Sequence, residues 1–363
     1  MAPSHIKTPN VSIGLPVRNG EEYLRTAIDS LLAQDYRDFE LIISDNASTD
    51  GTSRICQEYA RSDPRIRFHQ IDANVGAAEN FNRTFRLSSG TYFMWAAHDD
   101  RWHPSYISRC IAALERSPAA VLCASSIRFI DESGVEIDVA SLGPLIGEYN
   151  RLHTVSLGLV ERVRELTKTI NWYTLYGLIR ADALRQTSLI RDAYGADVLL
   201  LMELLLLGET IILADALFDY RLVRKAPERQ MEDLSGISSR AEEVKAYTLT
   251  AKGLLDAIDE CALSSDIKTI LREDLLENVS FANQRWADRI AWENEPIIVD
   301  HDRYLASFQI RDLLTGMPVR APETLRGPAY RKSASSLSGA RRLQQEIHRV
   351  LDRHVMWRFR SKQ

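Results

Sequence analysis

Short apolar runs alternate with amphipathic stretches through about the first hundred residues of the chain. An apolar run of about four to eight residues predicts a buried β-strand, whereas apolar residues spaced about three or four apart predict a helix with one buried face. The predicted strands are 11–16, 39–44, 65–71 and 92–97, and the predicted helices are 21–33, 52–61 and 77–87. This alternation predicts an α/β protein with a mostly parallel sheet, helices on both faces and right-handed crossovers.

The pattern changes after about residue 225, where predicted strands become rare. Three later segments show helical spacing, namely 238–263, 265–287 and 336–360. We therefore expect an α/β domain over residues 1–225 and a helical extension over residues 226–363. The last segment is amphipathic and rich in arginine, and it includes Trp357. It is interpreted as a docking or homodimerisation helix, with peripheral contact to an anionic membrane as the alternative.

Composition narrows the class of protein. The 363-residue chain is 45% hydrophobic and 26% charged, which is ordinary for a soluble globular protein. Its formal net charge of −5 argues against a nucleic-acid partner, since bulk binding of nucleic acid normally needs a strongly basic domain.

Targeting features are sparse in the sequence. Residues 1–10 lack the apolar core of a signal peptide, and the longest apolar run, Val198–Leu207, contains Glu203 and is too short to span a bilayer. The 4 cysteines form no CxxC pair and are expected to be buried thiols in a reducing compartment. These features predict a cytoplasmic protein, with attachment to the inner face of the membrane as the alternative.

Carboxylates follow two of the predicted strands directly. Asp45 comes after strand 39–44, and the pair Asp99 and Asp100 comes after strand 92–97. Open α/β sheets bind their ligands at the carboxyl ends of the strands, so these acids predict a site for a hydroxyl-rich ligand or for a hard cation that holds phosphates. The first strand is not followed by a GxGxxG or GxxxxGK loop, which disfavours ordinary NAD or P-loop nucleotide binding.

Four motifs in order resemble the inverting family 2 glycosyltransferases of GT-A fold. They are Pro16–Asn19, Asp45–Thr52, Asn74–Gly76 and the pair Asp99–Asp100. The resemblance extends over residues 10–225 and implies a Rossmann-like GT-A sheet that binds a nucleotide-diphosphate sugar. A UDP-sugar is the favoured donor, and the implied acceptor is a hydroxyl of a glycan, a lipid-linked sugar or a small molecule.

The resemblance also implies which residues bind the donor. Asp45 would accept a hydrogen bond from the nucleobase, commonly uracil, because a carboxylate accepts without donating. The other implied donor-site residues are Pro16, Val17, Arg18, Asn19, Asn74, Gly76 and Asn80. A structural alternative stays open for two of these residues. Asp45 would in that case only cap a turn, as we expect for Asp50, and Gly76 would only be a turn glycine.

The metal motif departs from the family form Asp-x-Asp-Asp, since Ala97 stands in the first position. By resemblance, Asp99 would coordinate Mg²⁺ or Mn²⁺ at the donor diphosphate, and Asp100 would be a second donor-site acid. One carboxylate is sufficient when water and diphosphate supply the other oxygen ligands. His98 is either a donor-site residue or a structural one. The alternative for the acid pair is a capping turn ahead of the next helix.

The implied catalytic base is Asp197, which opens the apolar stretch Val198–Leu207. The helix N-terminus is expected to favour its ionised form, and Glu203 is the reserve candidate. Upstream, Asn171–Arg180 is interpreted as an edge strand on the acceptor side, where Trp172 and Tyr173 would stack on a sugar or else belong to the core.

Two rival functions remain at this stage. A sugar-phosphate nucleotidyltransferase would open with a basic, glycine-rich loop, which residues 14–20 match poorly. A non-catalytic carbohydrate-binding or scaffold protein with a decayed transferase site is the more serious rival, because acids are missing before Asp99 and before Asp197. Hydrolysis of the donor without acceptor distinguishes an enzyme from such a scaffold.

Overall fold

The computed structural model describes residues 9–138, 152–168, 172–223, 245–295, 298 and 303–317. The chain divides into two compact units. Of the described residues, the first unit holds those up to Asp192 and those from Ala196 to Val223, and the second holds Ala193–Gly195 and those from Lys245 onward.

The first unit is built on one eight-stranded mixed sheet. Its strands are β1 (Val11–Val17), β2 (Phe39–Asn46), β3 (Ile66–Ile71), β4 (Tyr92–Trp95), β5 (Arg101–Trp102), β6 (Ala120–Ile130), β7 (Leu178–Arg180) and β8 (Glu209–Arg221). They lie in the order β3-β2-β1-β4-β7-β6-β8-β5. Strands β1 to β4 are mutually parallel, β7 is antiparallel to both of its neighbours, and β6 pairs parallel with β8. The carboxyl ends of β1, β2 and β4 therefore share one edge of the sheet.

The helices of the first unit follow from the apolar spacing. They are α1 (Leu24–Leu32), α2 (Thr52–Ser62), α3 (Ala77–Arg86), α4 (Tyr106–Arg116), α5 (Leu159–Lys168), α6 (Ala181–Leu184) and α7 (Ala196–Leu207). In α1 the buried residues are Leu24, Ala27, Ile28 and Leu31, which is the single face that the sequence pattern predicts. The predicted α/β fold is confirmed, and the first four strands and three helices differ from their predicted bounds by at most three residues.

Helix α3 packs closely on β1 because β1 carries a glycine at the contact. A Cβ atom added at Gly14 would lie 2.4 Å from Oγ1 of Thr84 and 2.7 Å from the ring of Phe93. The absence of a side chain at Gly14 therefore lets the helix approach the sheet backbone.

The prediction for Asn171–Arg180 is wrong in two respects. Residues Trp172–Tyr176 form a 3₁₀-helix, and only Leu178–Arg180 is a strand. That strand, β7, lies inside the sheet between β4 and β6 rather than at an edge. Aromatic and β-branched composition does not distinguish a strand from a short helical turn, because tertiary packing decides between them.

The described part of the second unit is helical. Its helices are α8 (Ala246–Glu260), α9 (Ser265–Glu277), a π-helical turn (Asn278–Ala282), α10 (Gln284–Glu293) and α11 (Arg303–Thr315). The predicted helix 336–360 lies outside the described residues. Within the described residues, each helix is too short or too polar to cross a membrane.

Candidate functional site

The loops that follow β1 and β2 are fastened to each other. The parallel register pairs Val17 with Asp45, so both strands end side by side. The backbone N–H of Asn19 donates to Oγ of Ser48 at 2.9 Å, and the N–H of Thr49 donates to Oδ1 of Asn19 at 2.8 Å. Asn19 adopts a positive φ of 50°, a conformation that asparagine tolerates better than most residues. These contacts hold the two loops as one surface.

Solvent exposure increases along the predicted donor loop from Pro16 to Asn19. Pro16 and Val17 are the last residues of β1 and are buried, Arg18 is half-buried, and Asn19 is exposed. Any ligand at this strand end therefore meets Arg18 and Asn19 rather than the side chains of Pro16 and Val17.

Asp45 is fully buried, and both of its carboxylate oxygens accept hydrogen bonds. Oδ1 accepts from the N–H of Ser48 at 3.0 Å and from its Oγ at 2.5 Å, while Oδ2 accepts from Oγ of Ser53. This differs from the expected role, in which the carboxylate faces the nucleobase. In the structure Asp45 stabilises the turn into α2, which is the alternative that the sequence left open.

Asn46, to which the sequence pattern alone assigns no role, joins the end of β2 to the loop between β3 and α3. Its Nδ2 donates to Oδ1 of Asn74 at 2.8 Å and to the carbonyl of Gly76 at 3.2 Å. Its Oδ1 accepts from the N–H of Val75 at 2.9 Å. Its place directly after Asp45 at a strand end is the signal that would have identified it.

Gly76 and Asn80 differ in their exposure near this loop. Gly76 has a φ of +84°, and a Cβ added to it would meet nothing within 4 Å, so it needs glycine for its conformation and faces open space. Asn80 is buried in α3, where its Nδ2 donates to the carbonyl of Ser44 at 3.1 Å. Asn80 thus lies beneath the end of β2.

Asp50 is a capping residue, as expected. Its Oδ1 accepts from the N–H of Thr52 at 3.0 Å and its Oδ2 accepts from the N–H of Glu21 at 3.2 Å. Burial works to raise the pKa of Asp50, but hydrogen bonds from Thr52 and Glu21 outweigh it and hold that pKa below its usual range.

The end of β4 meets the loop after β1 through His98. A Cβ added at Gly20 would lie 2.5 Å from Cδ2 of His98 and 2.8 Å from Cγ2 of Val17, so the imidazole ring packs directly on the glycine backbone. Nδ1 of the same ring lies 3.9 Å from Oδ1 of Asp99. The three strand ends that carry the predicted donor-site residues are therefore in contact.

Asp99 and Asp100 have different surroundings. The side chain of Asp99 is 12% exposed and lies beside His98. Asp100 is buried, and its Oδ1 accepts from the backbone N–H of Arg221 at 3.0 Å. Asp100 thus fastens the turn to β8, and Asp99 is the acid of the pair that a ligand can reach.

The metal-ligating side chains at this turn suit a divalent cation only if a bound ligand supplies further oxygen atoms. Within the described residues, nowhere do three or more His, Cys, Asp or Glu side chains form a group suited to a metal ion. Asp99 offers one carboxylate next to the imidazole of His98. Mg²⁺ and Mn²⁺ complete such a site with water and phosphate oxygens, so the residues present fit a cation that arrives with a diphosphate.

Asp197 is the second residue of α7 rather than its cap. Helix α7 packs against β6 and β8, spans about 18 Å and ends two residues before β8, so its first turn lies toward the carboxyl edge of the sheet. Asp197 is 5% exposed, and its Oδ1 accepts from the N–H of Val198 at 2.9 Å. Burial raises the pKa of Asp197 to about 6, although hydrogen bonds from Val198 and its own backbone oppose the rise. The shift is opposite to the one expected from the helix N-terminus, because desolvation outweighs these backbone hydrogen bonds.

Glu203, the reserve candidate on the same helix, is an ion-paired residue. Its Oε1 lies 2.7 Å from Nη2 of Arg191, and its Oε2 accepts from the N–H of Ser188 at 2.5 Å. This is the partner that a buried acid among leucines requires. Both carboxylate oxygens of Glu203 are therefore engaged by the segment that carries Ser188 and Arg191.

Tyr173 belongs to an aromatic cluster. It is 5% exposed, and its ring packs edge-on against Phe129 and Tyr220 at centroid distances of 5.8 and 4.8 Å. The structure therefore places Tyr173 in the core, so stacking of its ring on an acceptor sugar is not favoured. Trp172 begins the same 3₁₀-helix, and its side chain lies outside the described residues.

Comparisons with known proteins bear on this arrangement. Residues 12–162 match the model of the family described as Glycosyl transferase family 2. An uncharacterised glycosyltransferase of Rickettsia typhi is 38% identical over 109 residues, which cover 30% of this chain and 33% of that protein. The putative glycosyltransferase EpsE of Bacillus subtilis is 34% identical over 128 residues, which cover 35% of this chain and 46% of EpsE. The matches thus span less than half of these curated relatives.

Solved structures share the fold over more of the chain. TarS of S. aureus, residues 1–349 in complex with UDP-GlcNAc, aligns with a TM-score of 0.58 at 17% identity over 86% of this chain and 93% of that one. The mannosyltransferase PcManGT of Pyrobaculum calidifontis, in complex with GDP-Man and Mn²⁺, aligns with a TM-score of 0.50 at 16% identity over 79% of this chain and 74% of that one. At these identities the likeness shows the fold alone.

Proposed function

Because residues 12–162 match the model of Glycosyl transferase family 2, we propose that the chain is a member of that family and transfers a sugar from a nucleoside diphosphate donor to a hydroxyl acceptor with inversion. A UDP-sugar is the favoured donor, which is consistent with the UDP-GlcNAc bound by the structural neighbour TarS. GDP-mannose, bound by PcManGT, is the second candidate.

The meeting of three strand ends carries this proposal. Asn19 is hydrogen-bonded to Ser48, and Gly20 packs against His98, so the loops after β1, β2 and β4 form one surface. That surface presents Arg18 and Asp99 at the carboxyl edge of the sheet, where open α/β sheets bind nucleotides. A half-buried arginine suits the negative charge of a diphosphate, and Asp99 suits its cation.

The chain's own residues divide the chemistry between them. Arg18 and the backbone of Asn19 would hold the donor, with Asn74 and Gly76 at the neighbouring loop. Asp99 would hold Mg²⁺ or Mn²⁺, which when bound neutralises charge on the departing diphosphate. Asp197 would accept the proton of the acceptor hydroxyl as that oxygen attacks the anomeric carbon from the face opposite the leaving group. A pKa of about 6 leaves Asp197 ionised at neutral pH and able to take a proton.

The test combines a donor panel with one substitution. The wild-type protein is expected to be stabilised against heat by one nucleotide sugar, more so with Mn²⁺, and to transfer or hydrolyse it. Asp99→Asn should lose the Mn²⁺-dependent part of both effects, whereas Asp182→Asn, at a highly exposed acid of the same unit, should behave as wild type. Full activity of Asp99→Asn in excess chelator would refute the cation role.

A non-catalytic binding protein is the second candidate, because the described residues provide no cluster of three metal-ligating side chains. Such a protein would bind the nucleotide sugar without consuming it. Measuring donor hydrolysis and transfer beside binding therefore separates the two functions. Binding without any turnover across a panel of hydroxyl acceptors would favour the scaffold.

A further inference from the structure

We infer that Arg221 is the positioning residue for Asp99: it holds the Asp99–Asp100 turn in place and thereby sets the affinity of the site for a divalent cation. This role rests on the proposed function, in which Asp99 supplies the protein carboxylate to the cation. Arg221 is the last residue of β8 and is only 5% exposed.

Arg221 binds two consecutive residues of the turn, one through its backbone and the other through its side chain. Its backbone N–H donates to Oδ1 of Asp100 at 3.0 Å, and its side-chain Nε donates to the carbonyl of Asp99 at 2.8 Å. Directly after the turn, Arg101 enters β5 and pairs with Asp219 of β8. The backbone of Asp99 therefore has a fixed direction relative to β8.

The remaining contacts of the guanidinium join this turn to two further segments. Nη1 donates to the carbonyls of Asp131 and Glu132, beyond the end of β6, at 2.8 and 3.0 Å. The guanidinium carbon lies 4.6 Å from the ring centroid of Tyr23, which precedes α1. A planar group with several fixed donors can serve these partners together, and a lysine ammonium cannot reproduce that geometry.

Cation affinity is sensitive to this kind of support. Mg²⁺ and Mn²⁺ require ligands in near-octahedral directions, so a carboxylate whose backbone can rotate coordinates them less well. Residues that orient a metal ligand typically change metal affinity about 10–100-fold when they are replaced. Nothing in the local sequence around Arg221 indicates the role, because its partners are distant in the chain.

Arg180 provides a matched control at the other edge of the sheet. Its Nε and Nη2 donate to the carbonyls of Ala120 and Leu114 at 2.9 and 2.8 Å, and its guanidinium carbon lies 5.7 Å from the ring centroid of Tyr92. Arg180 pairs with Tyr92 at the beginning of β4, whereas Asp99 follows the end of that strand. Replacement of Arg180 thus removes the same kinds of contact far from the acid.

The experiment measures Mn²⁺ binding by electron paramagnetic resonance with the full-length protein in saturating UDP, and again in GDP, together with thermal unfolding. Arg221→Met is expected to weaken Mn²⁺ binding by about 10–100-fold, and Arg221→Lys by a smaller factor. Arg180→Met should lower the unfolding temperature to a similar degree but keep wild-type Mn²⁺ affinity. Should Arg221→Met fail to fold, the lysine variant decides the question.

Two other outcomes separate the inference from the proposed function. If Asp99→Asn loses Mn²⁺ but both Arg221 variants bind it as wild type does, or if Arg180→Met weakens binding equally, the role of Arg221 is wrong while the proposed function stands. If the wild-type protein binds no Mn²⁺ with either nucleotide, or Asp99→Asn binds it normally, the cation role of Asp99 fails and the role of Arg221 fails with it.

Discussion

Glu40 near the amino edge of the sheet and Asp197 beside the carboxyl edge are both buried carboxylates, and their surroundings differ. Glu40 accepts hydrogen bonds from Ser12 and Ser89 and pairs with Arg67 at 2.6 Å. Burial works to raise the pKa of Glu40, but these partners outweigh it and hold that pKa below its usual range.

Among the residues that the structure describes, no cation pairs with Asp197, and burial raises its pKa to about 6. Paired acids such as Glu40 favour their charged form and add to stability, whereas an acid left without a cation is poised to exchange a proton near neutral pH. The comparison shows how one sheet uses the same chemical group for structure at one edge and, in the proposed function, for catalysis at the other.

The largest expected effect is the loss of sugar transfer in the variant Asp197→Asn. The amide keeps the size of the side chain and its hydrogen bond to Val198 but cannot accept the acceptor's proton, so transfer should fall by roughly 10²–10⁴-fold. Donor affinity, measured by calorimetry, should persist. Glu203→Gln on the same helix is the control and should keep transfer within a few-fold of wild type. A reversal of these two results would move the base to Glu203.

Glu40→Gln should affect stability instead. Loss of the charged acceptor for Ser12, Ser89 and Arg67 is expected to lower the free energy of unfolding by about 2 kcal/mol at pH 7. Since the folded-state pKa of Glu40 is lowered, its contribution is present above the unfolded value and declines as pH falls through the folded one. Urea denaturation at several pH values checks this, with Glu58→Gln at an exposed ion pair as control. Unchanged kcat and donor KM would complete the contrast with Asp197.

The pH dependence of transfer sharpens the comparison further. Asp197 must be ionised to act as a base, so a pKa of about 6 predicts that kcat falls about tenfold between pH 7 and pH 5. Donor binding should change less over the same range. A kcat that is constant down to pH 5 would show that a group with an ordinary carboxyl pKa, or no carboxyl at all, serves as the base.

The smallest expected effects come from two glycines, one near each edge of the sheet. A Cβ at Gly90, near the amino edge, would lie 2.7 Å from the backbone N of Ser12, whereas a Cβ at Gly20 would meet the side chain of His98. Gly90→Ala should therefore lower stability by about 1–3 kcal/mol and leave donor KM unchanged. Gly20→Ala should displace the imidazole and raise donor KM a few-fold with little loss of stability. Equal changes in unfolding temperature for both variants would contradict this division.

The parts of the fold that local pattern determines are the parts that sequence reasoning predicted. Strands β1 to β4 and helices α1 to α3 are set by apolar spacing within each segment. The 3₁₀-helix at Trp172–Tyr176 and the pairing of β5 with β8 depend on distant partners, and no local pattern indicates them.

The candidate site divides in the same way. Asp99 and Asp197 are candidates from the sequence because each stands at the end or beginning of an apolar element, and because the family resemblance implies roles for them there. Ser48 and Ser53, which donate to Asp45, lie within eight residues of it, so the sequence left both a donor role and a turn role open for that acid. The burial of Tyr173 depends on Phe129 and Tyr220, which are distant in the chain. Arg221 acts through residues far along the chain and was not identifiable from its neighbours.

The packing of His98 between Gly20 and Asp99 has a consequence for the thermodynamics of ligand binding. A nucleotide that orders the loop at Gly20 and a cation held at Asp99 would both act on this imidazole ring. Their binding is then linked: whatever factor the nucleotide contributes to the affinity for the cation, the cation must contribute to the affinity for the nucleotide. The four dissociation constants form a closed cycle, and the order in which the two ligands arrive changes the rates but not the final complex.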